Sequence, residues 1–329
     1  MLSVVVPVFN EEETLGELYR RVRRALPHDE QWEVVFVDDG SRDHSWDVLC
    51  GLAVDDPRLR LLRLSRNFGH QAAITAGLDA ARGDAVVVMD ADLQDPPELI
   101  PALVARWRDG YDVVYAVRAA RDGESRFKLV TSSLFYRILR RISGGEIPVD
   151  AGDFRLMSRR VVEALAAMPE RARFLRGMTS WVGFRQSGVE YRRDPRYAGR
   201  SNYPLRKMLR FAADGITSFS TVPIRLVAWL GLILVTFCLV VLGWAVYTRF
   251  FTHHAAPGWT SLLVIVLLLG GVQLLSLGII GQYIGRIFDE TKRRPLYLVA
   301  EMIETTSATS SASVVQRAAT PALQEVVSE

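Results

Sequence analysis

Two carboxylates one residue apart, Asp90 and Asp92, close a run of small and β-branched apolar residues, Asp84-Ala85-Val86-Val87-Val88-Met89. Residues i and i+2 of an extended strand share a face, so the pair reads as a hook for a hard cation. Carboxylate oxygens suit Mg²⁺ or Mn²⁺, which bind through one or two carboxylates plus substrate phosphates. The segment continues Leu93-Gln94-Asp95-Pro96-Pro97, and a second cluster, Asp38-Asp39-Gly40-Ser41, ends another apolar run, Trp32-Glu33-Val34-Val35-Phe36-Val37. Either pair alone would also suit a polar strand end that caps the next turn. Their shared setting separates the two readings.

That setting is a regular alternation of elements. Ser3 to Phe9 predicts a buried strand, and Asn10-Glu11-Glu12-Glu13-Thr14 opens a helix to about Leu26, its acidic first turn suited to the helix dipole. After the second strand and its carboxylates, Trp46, Val48, Leu49 and Leu52 mark a helix. Leu59 to Leu64 predicts a third strand, which leads through Ser65-Arg66-Asn67-Phe68-Gly69-His70 to a small-residue helix over Ala72 to Ala80. Strands alternating with helices predict a parallel sheet covered on both faces, with ligands at the carboxyl ends of the strands. Both carboxylate clusters fall at such ends, which points to a nucleotide site.

Val5-Val6-Pro7-Val8-Phe9-Asn10-Glu11, Val37-Asp38-Asp39-Gly40-Ser41, Asn67-Phe68-Gly69-His70 and Asp90-Ala91-Asp92-Leu93-Gln94-Asp95-Pro96, in that order, resemble family 2 glycosyltransferases. The likeness is to the polyprenyl-phosphate hexosyltransferase branch and runs to about Pro295. It implies an α/β fold of the GT-A (Rossmann-like) type, a nucleotide-sugar donor, a divalent metal (Mg²⁺ or Mn²⁺) and an inverting reaction. On this resemblance Asp92 and Asp90 hold the metal, with Gln94 beside it. Pro7, Phe9, Asn10, Glu11, Asp38, Asp39, Asp90 and Ala91 form the donor nucleotide pocket.

Val149-Asp150-Ala151-Gly152-Asp153-Phe154-Arg155-Leu156 resembles the acceptor-side motif of the family. Its carboxylate would act as a general base, orient the nucleophile or stabilise positive charge on the sugar; Asp153 is the first choice and Asp150 the second. A phosphate acceptor is already largely ionised near neutral pH and needs little proton abstraction. The alternative is structural, with Asp153 capping a helix over Met157 to Leu165. Candidates for gripping the acceptor phosphate, or the donor diphosphate, are Arg118, Arg121 and Lys128, with Ser132, at the approach to an amphipathic helix through Phe135 and Leu139. Arg200 joins them from Gly199-Arg200-Ser201-Asn202-Tyr203, where Asn202 departs from the lysine usual in the family.

Composition agrees with a membrane enzyme. Hydrophobic residues make up 49% of 329, and the excess is localised. Leu226 to Tyr247 and Trp259 to Ile284 contain no Asp, Glu, Lys or Arg. Each exceeds the roughly 20 residues that cross about 30 Å of hydrocarbon. Arg206, Lys207, Arg210 and Arg225 precede the first and Arg286, Lys292, Arg293 and Arg294 follow the second, whereas the connector offers only Arg249. The positive-inside rule then puts both termini and the catalytic domain in the cytoplasm. The first apolar run is short, holds Pro7 and meets three glutamates, unlike a cleaved signal. Cys50 and Cys238 give no disulfide or zinc pattern.

The expected organisation is a GT-A domain over 1–202 and an interfacial amphipathic helix over 203–224. A hairpin of two transmembrane helices follows over 225–287 (about 225–249 and 259–284). The tail over 288–329 is expected to be largely disordered after 300. The expected function is transfer of a hexose, UDP-glucose being the leading donor, to a polyprenyl phosphate at the cytoplasmic face of the inner membrane. GDP-mannose or a modified UDP-sugar is the alternative donor. A membrane scaffold with an inactive transferase domain is the reading from a different class. Membrane lipid is the expected further partner, nucleic acid is not expected, and the oligomeric state is open.

Overall fold

The computed structural model describes residues 1–27, 30–118, 151–171, 173–191, 222–247 and 259–304. The expected alternation is present almost residue for residue at its start. β1 (Leu2–Val8), α1 (Leu15–Ala25), β2 (Trp32–Asp38), α2 (Ser45–Asp55), β3 (Leu59–Leu64), α3 (His70–Ala80) and β4 (Ala85–Val88) follow one another. A 3-10 turn at Pro97–Leu99 leads into α4 (Ile100–Arg108) and β5 (Val113–Arg118). After the undescribed stretch come β6 (Ala151–Ser158), α5 (Arg159–Ala166), α6 (Leu175–Trp181) and β7 (Gln186–Tyr191). Then follow α7 (Val222–Tyr247), α8 (Trp259–Thr291) and β8 (Val299–Glu304).

The chain divides into two units, Met1–Tyr203 with Arg294–Glu329, and Pro204–Arg293. In the first, eight strands among the described residues form one sheet in the order β7-β5-β6-β4-β1-β2-β3-β8. β4, β1, β2 and β3 are mutually parallel, so their carboxyl ends share one edge. Val4, Val5 and Val6, Val34 to Val37 and Val86 to Val87 are completely buried, as a strand covered on both faces requires. Gly77 of α3 allows the closest packing, because a Cβ there would lie 2.2 Å from Cγ1 of Val5.

Two expectations need correction. The sheet is mixed rather than parallel: β6 runs antiparallel between β4 and β5, and β8 runs antiparallel beside β3. The chain after residue 300 is not all tail either. Val299–Glu304 forms β8, and Glu304 meets Arg60 at 3.2 Å and Arg82 at 3.0 Å. The segment Val299-Ala300-Glu301-Met302-Ile303-Glu304 has no clean alternation, and its short apolar stretches were masked by the Thr/Ser-rich run behind them. The helix proposed over 203–224 and the connector 248–258 lie outside the described residues, apart from 222–224 at the start of α7.

In the second unit α7 and α8 carry exposed apolar side chains, among them Trp229, Phe237, Trp244, Leu274, Leu277 and Phe288. Among the described residues one helical stretch, Leu268–Thr291, is long and apolar enough to cross a membrane, and Gly231–Val241 is a shorter apolar one.

Asp56, almost fully buried at the end of α2, accepts hydrogen bonds from the Arg58 guanidinium at 2.8 and 2.7 Å and from the Tyr19 hydroxyl. Burial pushes its carboxyl up, but these donors win and hold it down at about 2. A depressed folded-state pKa stabilises the fold above the unfolded value near 3.9 and loses that contribution as pH falls towards about 2. Asp56→Asn is therefore expected to lower thermal stability at pH 7 and to flatten its fall between about pH 4 and 2, read from melts of the purified protein.

Candidate active site

The site grows from the carboxyl ends of β1, β2, β3 and β4. Asn10 and Leu93 are non-glycine residues at positive φ, +56° and +59°. A left-handed residue costs about 1 kcal/mol or more in an L-chain, and such strain gathers where backbone geometry is over-determined. Leu93 is buried, so its turn is fixed from inside. It bends the chain directly after Asp92, whose Oδ1 accepts the Gln94 N–H at 3.1 Å. At the neighbouring turn the Asn10 side-chain oxygen accepts from Arg42 N–H at 2.8 Å, and the Asn10 N–H donates to Ser41 Oγ at 3.0 Å. Glu11 N–H donates to Ser45 Oγ at 2.9 Å, which ties the ends of β1 and β2 together.

Asp38 and Asp39 have separate duties. Asp38 is fully buried; its Oδ1 accepts from Ser41 N–H at 3.0 Å, and Arg63 Nε lies 3.5 Å from its Oδ2. Asp39 accepts Phe68 N–H at 2.7 Å on one oxygen and Gly69 N–H at 2.9 Å on the other. Burial pushes its carboxyl up, against the pull of those two amides. It thus fastens the loop after β3 to the end of β2. Gly40, at φ +68°, sits under this loop: a Cβ would meet the Arg66 carbonyl carbon at 2.6 Å. Of the residues expected in the donor pocket, Phe9 and Asn10 are exposed and Glu11 is half-buried at this edge. Pro7 is buried within β1 opposite Val37, and Ala91 is buried after β4.

The fastened loop delivers His70, the first residue of α3. Its Nε2 lies 3.2 Å from Asp153 Oδ2 and 3.4 Å from Asp90 Oδ1. Burial alone would depress the imidazole, but the Asp153 hydrogen bond and the charges of Asp90 and Asp153 raise it. Arg176 of α6 grips Asp153 with both arms, Nε to Oδ1 at 2.8 Å and Nη2 to Oδ2 at 3.1 Å. Against the cost of burial, His70 and Arg176 hold the Asp153 carboxyl far below the usual carboxylate range. Asp153 lies in β6, beside the end of β4, and α5 begins at Arg159 after Ser158. Asp153 is therefore not the cap of that helix.

Below this layer Arg155 is buried, donating to Gly152 O at 2.8 Å and to Thr179 Oγ1; burial pulls its guanidinium down to about 10. Asp95 is buried and accepts the Tyr191 hydroxyl, and Tyr191 stacks edge-on against Phe154 at 6.3 Å between centroids.

Asp90 shows whether a cation fits. Among the described residues its Oδ1, a buried oxygen, has no hydrogen-bond partner, only the ion-pair contact with His70 at 3.4 Å. Its carboxyl is pushed up to about 6, first by burial, against the pull of His70, and then by Asp153, Asp95 and Asp92. Carboxylates crowded this way resist ionisation until a positive charge compensates them. Among the described residues no closed group of three or more ligating side chains occurs. An open carboxylate pair suits Mg²⁺ or Mn²⁺ completed by diphosphate oxygens and water. The residues fit such an ion.

Asp90 and Asp153 therefore meet at His70, although Asp153 is 83 positions from it, and the charge of Asp92 reaches Asp90; Asp39 fastens the loop that brings His70 there. Asp150, Arg121, Lys128, Ser132 and Arg200 lie outside the described residues, as does the Arg118 side chain. Sequence reasoning gave His70 no role, although it quoted the motif that contains it, and missed Arg176 altogether. Nothing near Leu175-Arg176-Gly177 marks a motif; only the fold brings it to Asp153.

Residues 3–166 match Glycosyl transferase family 2. An uncharacterised glycosyltransferase of Bacillus subtilis, YkcC, is 49% identical over 90% of this chain and 92% of its own length. The bactoprenol glucosyl transferase of Shigella phage SfV is 44% identical over 91% of this chain and 97% of its own. A prophage bactoprenol glucosyl transferase homolog of Escherichia coli is 43% identical, over 91% and 98%.

Proposed function

This chain belongs to glycosyl transferase family 2, with an α/β, GT-A-like fold and a mixed sheet, and from that membership we propose that it transfers a hexose from a nucleotide sugar to a polyprenyl phosphate. The observation that carries the substrate class is the likeness, over 91% of the chain, to proteins named for bactoprenol glucosyl transfer. UDP-glucose is the proposed donor and the reaction inverts the anomeric centre. The product serves as a lipid-linked sugar for glycosylation of the cell envelope.

The roles follow from the site. Asp39 holds the loop after β3, and with Asp38, Phe9, Asn10 and Glu11 frames the pocket for the nucleoside. Asp92 and Asp90, with Gln94 alongside, would hold Mg²⁺ or Mn²⁺, which neutralises charge on the departing diphosphate. Asp153 faces the acceptor side, kept ionised by Arg176 and His70. A carboxyl this acidic is a weak base, so its contribution is electrostatic: it orients the nucleophile and favours positive character on the sugar. An acceptor phosphate attacks with an oxygen that already carries negative charge. Arg118, Arg121, Lys128, Ser132 and Arg200 are proposed to receive that phosphate.

The deciding experiment incubates detergent-purified protein with undecaprenyl phosphate, Mg²⁺ or Mn²⁺ and a panel of radiolabelled nucleotide sugars. Lipid-linked label from UDP-glucose supports the proposal. Label only from GDP-mannose or a modified UDP-sugar reassigns the donor, and no labelled lipid with any of them removes the function.

Residues 225–249 and 259–284 are proposed to cross the membrane as a hairpin, with both termini and the catalytic unit in the cytoplasm. The exposed apolar faces of α7 and α8 and the basic flanks support this. A cysteine at Thr252 is expected to react with an impermeant thiol reagent from the outer side, and one at Glu329 only after permeabilisation. A cytoplasmic signal at Thr252 would overturn the hairpin.

A further inference from the structure

We infer that Arg176 is a positioning residue for the transfer, acting through Asp153, and that it restricts the enzyme to acceptors that arrive as anions. The inference rests on the proposed transfer to a lipid phosphate and deepens it. Both Asp153 oxygens are engaged by the two arms of one guanidinium, at 2.8 and 3.1 Å, which fixes the plane of the carboxylate as well as its place. A planar fork does this where a point charge cannot. The Asp153 side chain is 10% exposed and that of Arg176 27%, so the pair is shielded without being sealed from solvent.

Two further contacts make the arrangement more than a buried ion pair. Oδ2 of Asp153, the oxygen that takes Nη2 of Arg176, also lies 3.2 Å from His70 Nε2, and His70 in turn lies 3.4 Å from Asp90 Oδ1. Arg176 therefore begins a chain that runs from α6 through the acceptor-side carboxylate to the metal-side carboxylate. The helix is also placed from the opposite direction: Leu175 N–H donates to the side-chain oxygen of Gln71, the residue after His70, at 3.0 Å. α3 and α6 thus approach Asp153 as a linked pair.

The chemical consequence concerns the substrate. An alcohol acceptor must lose a proton as it attacks, and a carboxylate with both oxygens held by a guanidinium is a poor place to put it. A phosphate monoester needs no such transfer. Its oxygen attacks the anomeric carbon, the bond to the diphosphate breaks, and the electron pair leaves with the nucleotide. Arg176 also offsets the Asp153 charge that would otherwise repel an anionic acceptor.

The test compares wild type, Arg176→Lys and Arg176→Gln on undecaprenyl phosphate and on undecaprenol, with nucleotide release measured alongside lipid labelling. Wild type is expected to label only the phosphate. Arg176→Gln is expected to lose roughly 10²-fold in kcat, the scale of a misplaced reacting group, with KM for the nucleotide sugar within about twofold. Arg176→Lys keeps the charge without the fork and is expected between the two, and added guanidinium is expected to restore part of the Arg176→Gln activity. Equal kcat in all three proteins, efficient use of undecaprenol by wild type, or a loss that tracks only a fall in Tm would each overturn the inference. Failure of wild type to label undecaprenyl phosphate with any donor overturns the proposed function itself, which separates the two failures.

Discussion

Asp92→Asn is expected to cut transfer by about 10²-fold or more, the cost of losing a group that stabilises developing charge. The argument begins with the turn after β4. Leu93 is forced into the left-handed region and buried, and this directs Asp92 to the edge where β1, β2 and β4 end. Asparagine can still accept the Gln94 N–H, so the turn should survive. It carries no charge, and so weakens the hold on a cation beside an already crowded Asp90. Activity of the wild type should vanish with chelator and return with Mg²⁺ or Mn²⁺. In Asp92→Asn the metal concentration for half activity should rise along with the loss of turnover. Near-normal turnover in the variant, or wild-type activity untouched by chelator, would remove the metal role from this pair.

How much of this was legible beforehand differs by element. β1, β2, β3 and α3 were predictable within two residues, because fully buried strands read as unbroken apolar runs and small residues in α3 mark close packing. The two carboxylate pairs at strand ends were visible for the same reason: the strand pattern fixed where each apolar run stopped. β6 and β8 were not foreseen. β6 holds Asp153 and Arg155 within the sheet, charged residues that a local pattern assigns to a surface, and their partners on α6, on α3 and in β6 itself make burial tolerable. β8 returns to β3 after α7 and α8 have intervened, a pairing that only tertiary structure reveals. Among site residues, those in compact motifs were found, whereas Arg176, 23 positions beyond Asp153, was not. Asp39 shows a subtler gap, since its two backbone partners reveal a loop fastener that no spacing encodes.

Asp153→Asn is expected to lower turnover on undecaprenyl phosphate by roughly 10²-fold or more while nucleotide affinity, measured by calorimetry with Mn²⁺ present, changes little. The substitution keeps the shape of the side chain and removes the charge that faces Arg176 and His70. Arg176 and His70 then lose their shared partner, so some stability is lost as well, and a melt of each variant must accompany the kinetics. The decisive comparison is with Arg176. If Asp153 works through its fixed, ionised carboxylate, its loss already removes whatever Arg176 contributes. The double variant Asp153→Asn with Arg176→Gln should then cost no more in kcat than the worse single change, because residues acting as one unit are not additive. Additive losses would mean that the two groups serve separate steps. Asp150→Asn supplies the remaining control: the same kinetic signature there, with Asp153→Asn near wild type, would exchange the roles of the two carboxylates. A uniform drop in Tm without a separate kinetic effect would reduce Asp153 to a residue that holds β6 to α6 and α3.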